Sequence, residues 1–90
     1  MTAVRIPPVL RAQIGGTKQV EVTGDTVGQV LDALVGLHPS LREQLLTADG
    51  ELNRFVNLYV NGRDVRYEQG LETPVSSADT VVLLPAMAGG

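Results

Sequence analysis

The spacing of apolar residues changes period along the chain, and each change marks a new element. Val4 and Ile6 flank Arg5 at strand period until Pro7-Pro8, where regular pairing stops. Alternation returns in Gln19-Val20-Glu21-Val22. Gly15-Gly16 lies between the two runs, so they read as a hairpin about a glycine turn, with irregular backbone over Val9 to Gln13. Beyond Thr23-Gly24 the period lengthens. Val27, Val30, Leu31, Leu34 and Val35 recur at helical spacing, with Gln29 and Asp32 on the other side. Asp25 or Thr26 supplies the N-cap, and Gly36 and Pro39 are the stop signals. Leu41, Leu45 and Leu46 predict one more short helical turn, ahead of the polar turn Ala48-Asp49-Gly50.

Strand period resumes in Phe55-Val56-Asn57-Leu58-Tyr59-Val60, with Val56, Leu58 and Val60 on one face. Asn61-Gly62 is the strongest short hairpin signal in the chain and predicts a return strand over Arg63-Asp64-Val65-Arg66-Tyr67. Gln69 to Ala78 reads as a connecting loop that carries Leu71 and Val75 inward. Thr80-Val81-Val82-Leu83-Leu84 is apolar on both faces, the mark of a central strand, and Pro85 ends it. This order predicts an α+β domain: a mixed sheet with one main helix and a short second helical segment on one face. First and last strands paired in parallel at the centre would give a ubiquitin-like β-grasp. The expected organisation is one domain over residues 1–84 and a flexible diglycine tail over 85–90.

Composition narrows the function. A 90-residue chain supports one core and leaves no room for a deep catalytic cleft. Cysteine is absent, so no disulfide or thiolate zinc site is expected, and with a single histidine no bound metal or cofactor is expected either. Phe55, Tyr59 and Tyr67 are the only aromatics, and ten acidic residues outnumber seven basic ones for a net charge of −3. Both facts argue against nucleic acid as a partner. The same mild acidity suggests docking to a basic patch on a larger enzyme. Met1 to Ile6 lacks the apolar core of a signal peptide, and the apolar run from Val81 to Gly90 is far short of a membrane span. The expected location is the cytoplasm, with no membrane partner.

The end of the chain carries the most chemical information. Pro85-Ala86-Met87-Ala88-Gly89-Gly90 contains no charged side chain and leaves an apolar strand. Fully extended, six residues reach about 20 Å, enough to enter a partner's active site while the globule stays outside. Gly89 and Gly90 have no Cβ, so a narrow tunnel can admit backbone and carboxyl. A carboxylate is a poor electrophile, but an acyl-adenylate formed with ATP carries a good leaving group. A sulfur nucleophile can then displace AMP and leave a thiocarboxylate on Gly90. No side chain of this protein need be catalytic.

Other candidates are weaker. His38, in Leu37-His38-Pro39, reads as a helix-end residue favourable to the dipole. Gly15-Gly16 lacks the flanking pattern of a phosphate loop and reads as a turn. Asp49 and Glu51 read as solvated, although their spacing permits weak cation binding. Lys18 is the only lysine and offers almost no acceptor sites for chain building. Arg54, Phe55, Asn57 and Tyr59 are candidates for a docking patch, since alternation puts the last three opposite the core face. Phe55 is equally readable as core.

Val60-Asn61-Gly62, Asp79-Thr80-Val81-Val82-Leu83-Leu84-Pro85 and Gly89-Gly90 resemble the corresponding segments of the MoaD/ThiS family of ubiquitin-like sulfur carriers. Arg54 to Asn61, Asp64-Val65-Arg66 and the end from Leu84 to Gly90 are most similar to the CysO, or cysteine-biosynthesis, branch of actinobacteria. The resemblance implies a β-grasp fold and activation of Gly90 by a ubiquitin-activating-like adenylating/sulfurtransferase enzyme. It also implies sulfur delivery to a cysteine-synthase-like enzyme working on O-phosphoserine, and release of cysteine by a JAMM-type metalloprotease. ATP, pyridoxal phosphate and zinc then belong to those partners. Pro85, Ala86, Met87, Ala88, Phe55, Tyr59 and Arg54 are the expected partner-binding residues. A carrier for another pathway (thiosugar or other natural product, thiamin), the small subunit of molybdopterin synthase and a ubiquitin-like protein modifier are the alternatives. Ala86 after Pro85, where many members have a second proline, counts against the molybdopterin reading.

Overall fold

In the computed structural model, which describes residues 1–85, strand β1 (Thr2–Arg5) runs antiparallel to β2 (Gln19–Val22), in register from Thr2 opposite Val22 to Arg5 opposite Gln19. The expected hairpin is therefore present, but its connection is not irregular. Pro8–Arg11 forms a short helix, α1, and Ala12–Ile14 a 3₁₀ turn. Pro8 occupies the first turn of α1, where its missing N–H costs nothing, and the turn buries Leu10 and Ile14. Gly15 and Gly16 then reverse the chain with φ of 74° and 83°.

Helix α2 (Val27–Leu37) begins where the capping signals place it. Thr26 Oγ1 accepts from the Gln29 amide at 3.2 Å, and Gln29 Oε1 accepts from the Asp25 amide at 2.8 Å. Two otherwise orphaned amides at this end are thus satisfied by one Thr-x-x-Gln pair. Gly24 lets β2 turn directly onto that helix end, since a Cβ there would lie 2.8 Å from the Val30 amide nitrogen. His38 ends α2, its amide donating to Leu34 O at 2.9 Å. The second helical segment follows as a 3₁₀ turn, Pro39–Leu41, and α3, Arg42–Leu45.

Strand β3 (Val56–Val60) turns through Asn61 (φ 51°) and Gly62 (φ 86°) into β4. Two positive φ values in succession are the requirement of a type I′ hairpin turn. β4 is only Arg63–Asp64, not the five-residue strand expected. Asp64 ends it, because its carboxylate accepts from the Arg66 amide at 2.9 Å and starts a 3₁₀ turn over Val65–Tyr67 that buries Val65. The expected loop holds a further 3₁₀ turn, Gly70–Glu72, with Val75 buried and Leu71 packed on the core.

Strand β5 (Thr80–Pro85) lies at the centre of a five-stranded sheet of order β2-β1-β5-β3-β4. It is parallel to β1 and antiparallel to β3. First and last strands thus meet as a β-grasp requires, and the α+β expectation holds. Val4, Val20, Val22, Val81, Leu83 and Leu58 on the inner face pack with Val27, Val30, Leu31, Leu34 and Val35 of α2 in one cluster. Each such side chain, fully buried, contributes roughly 1.5–3 kcal/mol. The outer face is uncovered and carries Ala3, Arg5, Asn57, Tyr59, Val82 and Leu84. Among the described residues no helix is long and apolar enough to cross a membrane.

Asn61 and Asp79 fasten the hairpin turn to the start of β5. Asn61 Nδ2 donates to Asp79 Oδ1 at 2.7 Å, Asn61 Oδ1 accepts from the Thr80 amide at 3.0 Å, and Asp79 Oδ2 accepts from the Ser76 amide at 2.8 Å. The Ser76 amide first, and then the Asn61 side chain, hold the Asp79 carboxyl below its ordinary pKa.

Two outcomes are expected. Leu58→Ala should lower unfolding free energy by about 2–5 kcal/mol in a urea titration, because Leu58 is fully buried between the sheet and the helix. A carboxyl with a lowered folded pKa stabilises fully above its unfolded value, near 3.9, and that contribution fades as pH falls through the lower folded value. Asp79→Asn should therefore lower Tm at neutral pH, and the gap to wild type should narrow below about pH 4. A constant gap over that window would show that the carboxylate charge is not what fastens the turn.

Candidate functional site

The last described turn of ladder fixes where the tail begins. Val56 is opposite Pro85 and Asn57 opposite Leu84, so β5 runs through Pro85 instead of stopping before it. Gly89 and Gly90, with Ala86, Met87 and Ala88, lie outside the described residues. Five residues beyond Pro85 can span about 17 Å when extended.

Around that root the structure gathers several of the expected docking residues. Phe55 precedes β3 and does not share its alternation. Its amide donates to Asn53 Oδ1 at 2.9 Å, and the Asx turn this makes leaves the ring 49% exposed. Phe55 is thus surface, not core. The Arg54 guanidinium carbon stands 5.1 Å from the centre of the ring, within cation–π range. Phe55, Leu84 and Pro85 share a groove of about 210 Å³ with Pro7, Val9 and Leu10. Val9 and Leu84 are 65% and 43% exposed, so apolar surface is concentrated where the tail leaves.

Tyr59 is not part of this groove. It is half-buried farther along β3, opposite Val82 and Asp64 on the uncovered face. Arg54, Phe55 and Pro85 come together at one end; Tyr59 stands apart, and His38 ends α2 elsewhere. Among the described residues no group of three His, Cys, Asp or Glu side chains could hold a metal ion.

Spacing alone did not single out Val9, Leu10 or Arg66. Val9 and Leu10 reach the groove because α1 is helical. Arg66 clamps the approach to β3: Nη1 donates to Asn57 Oδ1 at 2.9 Å, and Nη2 to Asn53 O at 3.0 Å and Val56 O at 2.7 Å. One guanidinium so holds both sides of Arg54-Phe55. The Asp64-Val65-Arg66 match was the one sequence signal that touched it.

Comparison with known proteins fits this geometry. The ThiS family model matches residues 4–90. This chain belongs to the ThiS family. The sulfur carrier protein CysO of Mycobacterium tuberculosis is 45% identical over 89 residues, covering 97% of this chain and 96% of that one. A chain of the crystal structure of the Amycolatopsis orientalis BexX/CysO complex superposes with a TM-score of 0.91 at 42% identity, covering all of both chains. Small archaeal modifier protein 1 of Haloferax volcanii is 38% identical over 82 residues, covering 88% of this chain and 90% of that one. In this ThiS-family chain the exposed ring in the groove and the Arg66 clamp should separate in mutagenesis. Phe55→Ala should change unfolding free energy by no more than about 0.5 kcal/mol, as befits an exposed ring. Arg66→Ala should cost about 1 kcal/mol and speed hydrogen exchange at the Val56 amide, which donates to Asn53 O at 2.9 Å.

Proposed function

We propose that this protein is a sulfur carrier whose reactive group is the carboxyl of Gly90, and that the sulfur goes to cysteine made from O-phosphoserine. The observation that carries this reading is the 45% identity, along nearly the whole chain, to a protein named sulfur carrier CysO. An activating enzyme joins the Gly90 carboxylate to the α-phosphorus of ATP, and pyrophosphate leaves. A sulfur nucleophile attacks the acyl carbon, AMP leaves, and the thiocarboxylate anion remains on the protein. That sulfur adds to the unsaturated carbon of an aminoacrylate made from O-phosphoserine on a pyridoxal-phosphate enzyme. The acyl group then shifts from sulfur to nitrogen, and hydrolysis of the new amide by a zinc protease returns Gly90 and frees cysteine.

The chain is a co-substrate in this scheme, working in the cytoplasm, and its contribution is geometric. Pro85 is anchored at the edge of the ladder, while Gly89-Gly90 offers an end without Cβ atoms to a narrow active site. ATP, pyridoxal phosphate and zinc are held by the partners.

A second reading is favoured by the similarity to small archaeal modifier protein 1. The same acyl-adenylate could be captured by a lysine amine of another protein. A Gly90 isopeptide on cell proteins, in cells where no thiocarboxylate forms, would select it.

Incubation with the activating enzyme, ATP and a sulfur donor should replace one carboxyl oxygen of Gly90 by sulfur, read by intact-protein mass spectrometry. An unchanged mass, with the enzyme active on its own ATP–pyrophosphate exchange, would sink the proposal. Deleting Gly90 should abolish the gain and leave Tm unaltered, since Gly90 lies five residues beyond the last described ladder pair at Pro85.

A further inference from the structure

The net charge of −3 conceals a separation of charge along the strand axis. Arg5, Arg11, Lys18, Arg54 and Arg66 lie at the end of the sheet where β5 reaches Pro85, and Arg42 is close by on a surface it shares with Asn53. Arg5 is opposite Val82, and both line a hollow with Arg11 and Leu84. Arg11 Nε donates to Ile6 O at 2.9 Å, and the Ile6 amide donates to Lys18 O at 2.9 Å. Arg54 lies over Phe55, and Arg66 holds the segment on either side of it. The opposite end carries Asp25, beside Thr2 and Ser76, and Glu68 and Asp79 around Arg63. Acid is present near the groove as well: Glu43 shares a surface with Arg42 and Asn53, Asp49 and Glu51 lie in the loop just before Asn53, and the Asp64 carboxylate accepts from the Arg66 amide. The hollow lined by Arg5 and Arg11, on the β1 side, contains no carboxylate.

Distance decides which charges a partner feels. The molecule measures 29 × 27 × 24 Å, whereas fields between exposed charges decay over about 8 Å at physiological salt. An enzyme that takes hold of the tail meets the basic end within one such length and the acidic end only after several. Net charge points to a basic partner surface; the cations on the β1 side of this end point to an acidic one there.

Resting on the reading that Gly90 is activated by a partner enzyme, we propose that this enzyme's docking face is acidic around an apolar projection. The projection fills the groove between α1 and Phe55, and carboxylates of the enzyme meet Arg5, Lys18 and Arg54. The groove admits one or two side chains, so it fixes register, and the surrounding cations speed and orient the encounter. This proposal runs opposite to the basic partner patch that total charge suggests.

The test uses the full chain, its activating enzyme, ATP and a sulfur donor, with thiocarboxylate formed per unit time as the readout. None of the Arg5, Lys18 or Arg54 side chains makes a hydrogen bond among the described residues, so Arg5→Glu/Lys18→Glu/Arg54→Glu should keep the wild-type circular dichroism and Tm. Its KM should rise about tenfold or more with kcat unchanged. KM should climb with added salt for wild type and stay nearly flat for the variant. Asp25→Lys/Glu68→Lys, at the far end, should leave KM as it is. Should the triple variant unfold, Arg54→Glu alone gives the same direction with a smaller change. Val9→Asp should raise KM through loss of the apolar contact. Wild type loaded normally, together with an unchanged or lowered KM in the charge-reversed protein, would overturn the acidic-face proposal and leave Gly90 activation standing. A wild type that gains no sulfur would remove both.

Discussion

Val81 and Leu83 stay dry only if β5 has a strand on each side and a helix beneath, and that requirement orders the whole chain. β1 supplies one side in parallel, which no tight turn can connect, so the chain must cross a layer between its first and last strands. α2 is that layer, and its apolar stripe closes the inner face. β3 supplies the other side, and the short Asn61-Gly62 turn lets β4 and the following 3₁₀ turns cap the edge. The strand made last is thereby held in the middle, and its end emerges between α1 and the start of β3.

This arrangement separates stability from chemistry. The strand that ends in Leu84 and Pro85 is anchored by Val81 and Leu83 in the core, whereas the acyl group proposed to react sits five residues beyond Pro85. No buried side chain has to be spent on a catalytic group, and no buried polar side-chain atom among the described residues lacks a hydrogen-bond partner. The core can be optimised for packing alone. What the globule adds to the reaction is a fixed starting point for the tail and a surface that a partner can recognise.

Period and turn chemistry made most of this fold legible. Eleven residues of α2 gave a full amphipathic stripe, Asn61-Gly62 could satisfy little but a type I′ turn, and a doubly apolar β5 had to be central. α1 escaped because a four-residue helix that starts on the second of two prolines is too short to show a period; Leu10 and Ile14 are core only through what packs on them. β4 was overextended because alternation cannot sense a carboxylate that captures an amide two residues on. The Arg66 clamp could not be read from spacing for a related reason, since two of its acceptors are backbone carbonyls, which carry no residue signature. Phe55 could not be assigned to core or surface from spacing because it stands one residue outside the strand whose alternation was being read. At the site, the tail was recognisable from composition, but the groove joins Pro7 to Pro85 and exists only after folding.

A single tail root has a consequence for any carrier that visits more than one enzyme. Under the proposed function each visitor reaches for residues that follow Pro85, so the visitors would compete for the groove and cations around it. A groove of about 210 Å³ buries too little apolar area to hold a partner for long, and rim charges act mainly on the rate of encounter. Fast arrival and fast departure suit a protein that has to be loaded at one enzyme and emptied at another. A larger apolar interface would tighten the first complex at the expense of the second, because release would then limit transfer. Under the proposed carrier function, a modest groove with a charged border would therefore suit such traffic better than a large apolar interface.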